Sequence, residues 1–377
     1  MRIEPTHARP GLQLRRIDGS VTPIHPRWLR ERLDGPEYVD QSLGQRFYDP
    51  SDLAEDVAVT EVTEQAPGVW AVRFSDGAAG SFGAARLIAE AELGPANTGL
   101  PPRVSWTGSL SPMPIVPWQP NPSDAALLRM TETFLRYGFV ILRGVPTAHA
   151  TVMDVADAFG FARDTNFGKL FDVRSIPNPD DLANTGIFLD PHTDNPYRDP
   201  IPGVQLLHCI ANRTSGGYST LVDGVTVVEA LRQRDPAAFE ILSKTPIRFI
   251  YSFGRTELVD YGPIIEHDAL GQIRGMRVSP KLEFVPLLAE AELDAFYKAR
   301  RLLDRMLRDT EFAIKFLLGD GDLMMFDNRR LLHGRTGYDP QEGLRHLQGC
   351  YIDIDSIRSL YRVLSRSVAA DERVAAE

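Results

Sequence analysis

The tripeptide His192-Thr193-Asp194 constrains this chain more than any other stretch. In an extended strand alternate side chains share a face, so an imidazole and a carboxylate two residues apart can meet one metal ion from one side. Far downstream, Asp327-Asn328-Arg329-Arg330-Leu331-Leu332-His333-Gly334-Arg335 offers a second histidine. Two histidines and one carboxylate form a facial set that leaves three coordination positions open. The pattern therefore asks the fold to bring His333 to His192.

A His-x-acid pair is weak evidence alone, because 8 histidines among 51 acids in 377 residues give roughly one such pair by chance. The context after His333 strengthens it. Arg345 lies in the apolar-flanked segment Leu344-Arg345-His346-Leu347-Gln348-Gly349-Cys350-Tyr351, where a buried guanidinium can grip a carboxylate through two parallel hydrogen bonds. A metal triad followed in this order by an arginine is a much rarer coincidence.

At these residues the chain resembles the Fe(II)/2-oxoglutarate-dependent dioxygenases, and within them the γ-butyrobetaine hydroxylase-like branch of the taurine-dioxygenase superfamily. The likeness is carried by Pro191-His192-Thr193-Asp194-Asn195-Pro196, Pro202 to Cys209, Gly216-Gly217, Val222-Asp223-Gly224, Phe326 to Arg335 and Arg345 to Gly349. It implies a double-stranded β-helix (jelly roll) with covering helices. It also implies Fe(II) on the catalytic residues His192, Asp194 and His333, with 2-oxoglutarate and O2 as cosubstrates and succinate and CO2 as products. Arg345 matches the cosubstrate arginine, and Ser219 or Thr220 would support the same carboxylate. The bland alternatives are a surface loop for His192 and Asp194, a helix-terminal or core histidine for His333, and for Arg345 a surface salt bridge worth about 0 to 1 kcal/mol. His208 and His346 read as core or supporting histidines.

Length and composition agree with an enzyme of two domains. A chain of 377 residues exceeds the usual single core, and 43% hydrophobic with 24% charged residues is a globular composition. No apolar run is long enough to span a bilayer, and the amino terminus has no apolar signal region, which leads us to expect the cytoplasm and no membrane partner. Cys209 and Cys350 are too few for a disulfide framework. A net charge of −10 without a basic block argues against nucleic acid. A homodimer is left open.

Residues 1–95 read as a small β-rich domain, with Val69 to Phe74 before the turn Ser75-Asp76-Gly77. Where many relatives carry a cysteine cluster, this chain reads Glu31-Arg32-Leu33-Asp34-Gly35-Pro36-Glu37-Tyr38, so no structural zinc is expected there. Trp28 and Tyr38 are then packing residues. Gly- and Pro-rich linker chemistry places the boundary near residue 96, with residues 96–377 as the catalytic domain. In it, helical spacing covers Asp124 to Tyr137 with Ser123 or Asp124 as cap, Ala148 to Phe159 and Glu290 to Leu307. Strands are expected from Gly138 to Gly144, Gly203 to Cys209, Thr220 to Val222, Ile247 to Tyr251, Ile273 to Val278 and Leu323 to Phe326.

The resemblance also addresses the substrate, a small quaternary-ammonium compound. Matched position by position, Phe167, Phe171 and Tyr351 stand at aromatic cage positions, and Asn184 stands where the family has a further ring. Asn195 and Tyr197, just after the metal motif, are candidate substrate contacts, Tyr197 as the missing wall. At the anion end the family's amides are replaced by Asp181 and the stretch Met276 to Lys281, in which Arg277 is the stronger anion partner. Two substrates follow: γ-butyrobetaine, and its phosphonate analogue 2-(trimethylammonio)ethylphosphonate. Rival readings are a dioxygenase of another small anion such as a sulfonate, a metal hydrolase, and a quaternary-ammonium binding protein without turnover.

Overall fold

The computed structural model describes residues 1–91, 98–174 and 186–376. The chain divides into two units, Met1–Thr98 and Gly99–Glu377; the expected boundary near residue 96 lies outside the described residues.

In the first unit Val69–Phe74 forms a strand that turns Trp70, Val72 and Phe74 inward. It pairs on both sides, with Val59–Ala66 and Ala79–Gly83. A second three-stranded sheet joins Arg2–Pro5, Leu12–Arg15 and Val21–Pro23. One apolar core holds both sheets and includes Leu12, Leu14, Leu29, Phe82 and Leu87. Trp28 and Tyr38 pack against it, and their outer faces carry the guanidinium groups of Arg32 and Arg30 at 3.5 and 4.8 Å.

Besides a three-stranded sheet of Thr256–Gly262, Ile247–Phe253 and Glu283–Phe284 and a pair of strands, Ile265–His267 and Ile273–Met276, the second unit has two main sheets. The larger runs in the order Ile115–Pro117, Phe139–Arg143, Asp322–Asp327, Val204–Asn212, Arg345–Ile352, Phe171–Arg174; all neighbours are antiparallel except the first pair. The smaller runs Leu189–His192, Leu331–Arg335, Ser219–Asp223, Ala313–Phe316 and is antiparallel throughout. Leu221, Ile314 and Leu331 of the smaller sheet share a core with Ile141, Cys209, Met324, Phe326 and Leu347 of the larger, so the sheets face one another. Period-two alternation sends the next residues outward. Val222 and Leu332 join a core with the helices Gly224–Arg234, Pro236–Lys244 and Glu290–Leu307, while Leu206, Cys350 and Ile352 join one with Asp124–Tyr137 and Thr151–Asp157.

The helix Asp124–Tyr137 has the expected bounds, with the Ser123 side chain accepting from the Ala126 N–H and Gly138 in the left-handed region at its end. Glu290–Leu307 also matches. The helix expected from Ala148 starts later, at Thr151, because Ala150 has φ +66° and its N–H is drawn to Oε1 of Gln348 at 2.8 Å. Both cysteines are buried and free, and no described helix is long and apolar enough to cross a membrane.

Arg330 fastens the approach to the His333 strand. Its fork meets Asp223 at 3.2 and 2.7 Å, it donates to the carbonyls of Arg136 and Val104, and both charged side chains are almost wholly buried. Replacing Arg330 with Met should therefore lower unfolding free energy by about 3–5 kcal/mol in urea titrations, since Asp223 is left buried and unpaired. The double variant Arg330→Met/Asp223→Leu should recover part of that loss.

Candidate active site

The antiparallel register sets His192 directly opposite His333. Their rings lie 4.3 Å apart between centroids. Asp194 Oδ1 is 3.4 Å from His192 Nε2 and 3.8 Å from His333 Nε2. One ligand atom from each residue falls within 4.8 Å of the others, the single such cluster of three among the described residues. His192 Nδ1 sits 2.8 Å from the Asp190 carbonyl, which fixes the proton there and leaves Nε2 as the lone pair facing inward. Burial, reinforced by repulsion from His192, pulls the His333 pKa down to about 4, so its imidazole is neutral at ordinary pH. Burial acts to raise the Asp194 pKa, but the electrostatic pull of the His333 and His192 imidazoles and the hydrogen bond from Tyr351 outweigh it and hold the carboxyl below the usual carboxylate range. Two neutral imidazoles and a carboxylate, all pointing to one spot, fit a divalent iron.

Each residue of the motif is held separately. His192 is paired in its sheet, and Thr193 exchanges hydrogen bonds with the Val278 backbone at 2.8 and 3.0 Å. The Asp194 backbone is clamped by the buried carboxamide of Asn328, whose Oδ1 accepts from the Asp194 N–H at 2.8 Å while Nδ2 donates to the Asp194 carbonyl at 2.9 Å and to that of Pro202 at 3.0 Å. Sequence reading quoted Asn328 only as part of a pattern; its role depends on a partner far away in the chain.

Arg345 opens the inward-facing row Arg345, Leu347, Gly349, Tyr351 of its strand. Its Nη2 donates to the Gly217 carbonyl at 3.3 Å, while Nε and Nη1 are buried without a hydrogen-bond partner among the described residues. Gly217, at φ +69°, makes this approach feasible, because a Cβ there would stand 2.6 Å from Nε. Burial lowers the Arg345 pKa, and the nearby Arg335 is brought to about 10 by burial and by repulsion from Arg345. Tyr338 lies under both guanidiniums, at 5.3 and 5.0 Å. A desolvated cation with unused donors is a receptor for a carboxylate. Of the two expected hydroxyls, Ser219 shares the inward face with Leu221 and stands opposite Arg335, whereas the Thr220 hydroxyl lies beside Gly334 on the outer face.

The expected rings fall into two groups. Phe171 packs on Tyr351 at 5.3 Å, and Tyr197 stacks at 5.1 Å on Tyr251, which meets Phe167 at 5.8 Å. Tyr251 had no signal beyond its strand. Phe171 can lie across the Tyr351 strand because its partner there is Gly349, where a Cβ would come within 2.5 Å of the ring. The Tyr351 hydroxyl donates to Asp194 Oδ2 at 2.7 Å and the Tyr197 hydroxyl to Asn195 Oδ1 at 2.7 Å. Asn195 is buried with φ +52°, and its Nδ2 has no acceptor among the described residues. Asn184 and Asp181 lie outside the described residues.

Arg277, expected at the anion end, is already engaged. Nε donates to Glu266 and Nη1 to Asp260, both at 2.6 Å, and Nη1 also reaches the Pro196 carbonyl at 3.4 Å. Its partners come from separate strands, which is why spacing could not reveal them. His346 pairs with Asp172 at 2.6 Å on the outward face, and His208 is a buried core residue.

The family model described as "Taurine catabolism dioxygenase TauD, TfdA family" matches residues 109–351, a span that includes the triad, Arg345 and Tyr351. The chain belongs to this family. Among this dioxygenase's relatives, the gamma-butyrobetaine dioxygenase of Pseudomonas sp. (strain AK-1) is 34% identical over 94% of this chain and 94% of its own length. The gamma-butyrobetaine dioxygenase of Homo sapiens is 33% identical over 65% of each chain. The mitochondrial trimethyllysine dioxygenase of Bos taurus is 29% identical over 70% of this chain and 64% of its own.

The Asn328 clamp generates a test. Asn328→Ala should weaken Co(II) binding by about 10- to 100-fold in a direct titration, as for other outer partners of metal ligands, with secondary structure retained by circular dichroism. Wild-type affinity would mean that the Asp194 backbone holds its place unaided.

Proposed function

We propose that this enzyme binds Fe(II) through His192, Asp194 and His333, holds 2-oxoglutarate through Arg345 with Ser219 beside it, and hydroxylates a methylene C–H of a small trimethylammonium zwitterion, releasing succinate and CO2. The observation that carries the reading is the buried Arg345 guanidinium with two unused donors, a few strands from a metal-ready triad. A metal hydrolase has no use for that cation. In this reading the facing sheets are a double-stranded β-helix with the site between them, and the buried free thiols suit a reducing cytoplasm.

Iron with 2-oxoglutarate and O2 supplies the oxidising power for the C–H bond. The protein's part is to bind and orient. A trimethylammonium group has no N–H to donate, so it is recognised by ring faces and nearby negative charge, at roughly 0.5 to 2 kcal/mol per ring. Phe171 with Tyr351, and Phe167 with Tyr251 and Tyr197, supply such faces, and Tyr351 touches the metal-binding carboxylate itself. The names of the relatives, gamma-butyrobetaine and trimethyllysine dioxygenases, support the same substrate class. Asp260 and Glu266 outnumber Arg277, which removes the particular reason for a dianionic phosphonate and favours γ-butyrobetaine. The unused Asn195 Nδ2 is a neutral donor suited to substrate.

A coupled-turnover panel tests this. Succinate release with Fe(II) and 2-oxoglutarate should be stimulated by γ-butyrobetaine more than by the phosphonate analogue, and not by a neutral tert-butyl isostere. Equal stimulation by the isostere would refute recognition of the cation. Arg345→Ala should raise the KM for 2-oxoglutarate by at least about tenfold, since a desolvated charge-assisted contact is worth roughly 2 to 5 kcal/mol, while the KM for the trimethylammonium substrate stays near wild type.

A further inference from the structure

We propose that Tyr351 is a positioning residue for the metal centre as well as a wall of the cation pocket: its hydroxyl fixes which oxygen of Asp194 faces the two histidines. The pocket half of this rests on the substrate reading above; the metal half stands on the geometry alone.

A carboxylate with both oxygens free can swing between one-oxygen and two-oxygen coordination. Here the two oxygens are distinguished by the protein. Oδ1 faces the Nε2 atoms of His192 and His333 at 3.4 and 3.8 Å, whereas Oδ2 accepts the Tyr351 hydroxyl at 2.7 Å. Tyr351 is 3% exposed, so water competes poorly for that bond. A carboxylate oxygen can only accept, so the phenol hydroxyl is the donor. The ring is held in turn by the register of its strand, with Tyr351 opposite Gln205. A cation seated against Tyr351 and Phe171 therefore presses on a ring whose far end is bonded to a metal ligand. Substrate occupancy and ligand geometry are joined by one side chain.

Tyr351→Phe separates the roles, since it keeps both ring faces and removes only the hydroxyl. In the substrate-free protein, Co(II) affinity should fall by about tenfold and the Co(II) absorption spectrum should change, the signature of a carboxylate released to coordinate differently. In turnover, more 2-oxoglutarate should be consumed per substrate hydroxylated, with the KM for γ-butyrobetaine within about twofold of wild type. Phe171→Leu should do the opposite, raising that KM and leaving Co(II) affinity and spectrum unchanged. Wild-type Co(II) affinity and spectrum in a folded Tyr351→Phe protein would overturn the proposal. If the metal readouts move as expected but Phe171→Leu leaves the KM unchanged, the positioning role stands and the cation pocket falls. Should Tyr351→Phe fold poorly, replacing Tyr351 with a fluorinated tyrosine of lower pKa strengthens the donor in place; an unchanged Co(II) spectrum there would equally overturn it.

Discussion

The register between two short strands is the constraint on which the site depends. His192 and His333 face each other because Leu189–His192 pairs antiparallel with Leu331–Arg335, with a register shift between Leu189 and His192 that brings His192 opposite His333. Side chains alternate with a period of two, so a slip by one residue would turn His333 to the outer face and bring Leu332 or Gly334 inward. The slip is opposed by burial on both faces: Leu331 belongs to the core between the sheets and Leu332 to the core under the helices. Apolar packing fixes the alignment, and the alignment fixes the metal geometry.

Electrostatics adds a second layer. A chain with a net charge of −10 keeps Arg345 desolvated with donors to spare, yet pairs Arg330 with Asp223 and Arg277 with two acids. Burying an unsatisfied cation is costly, and under the proposed function that cost is offset by the carboxylate Arg345 would bind. Arg330 and Arg277 meet protein carboxylates, whereas Arg345 meets only the Gly217 carbonyl among the described residues.

Much of this was legible in the sequence, for physical reasons. The triad residues that the fold brings together and the buried Arg345 stand in local patterns that single them out before the fold is known, and the helices Asp124–Tyr137 and Glu290–Leu307 follow from apolar spacing and end signals. What could not be read were functions created by contact between distant segments. Asn328 lies five residues before the second histidine, but its amide holds the Asp194 backbone. Tyr251 joins the aromatic group from a separate sheet, and Arg277 loses its apparent freedom to Asp260 and Glu266. Ser219 and Thr220 were equivalent on paper until strand alternation assigned one to each face. The closing helix Ile354–Ala376 carried no motif and was not anticipated.

The missing side chain at Gly349 has a wider consequence. Phe171 lies across that strand only because nothing projects from it. A single methyl group there would displace the ring, and the space beside Tyr351 would change shape without any residue of the triad or Arg345 being touched. Under the proposed function, position 349 would act as a gauge of pocket width, one through which descendants of this scaffold could move to longer or bulkier ammonium compounds while keeping their oxidative chemistry intact.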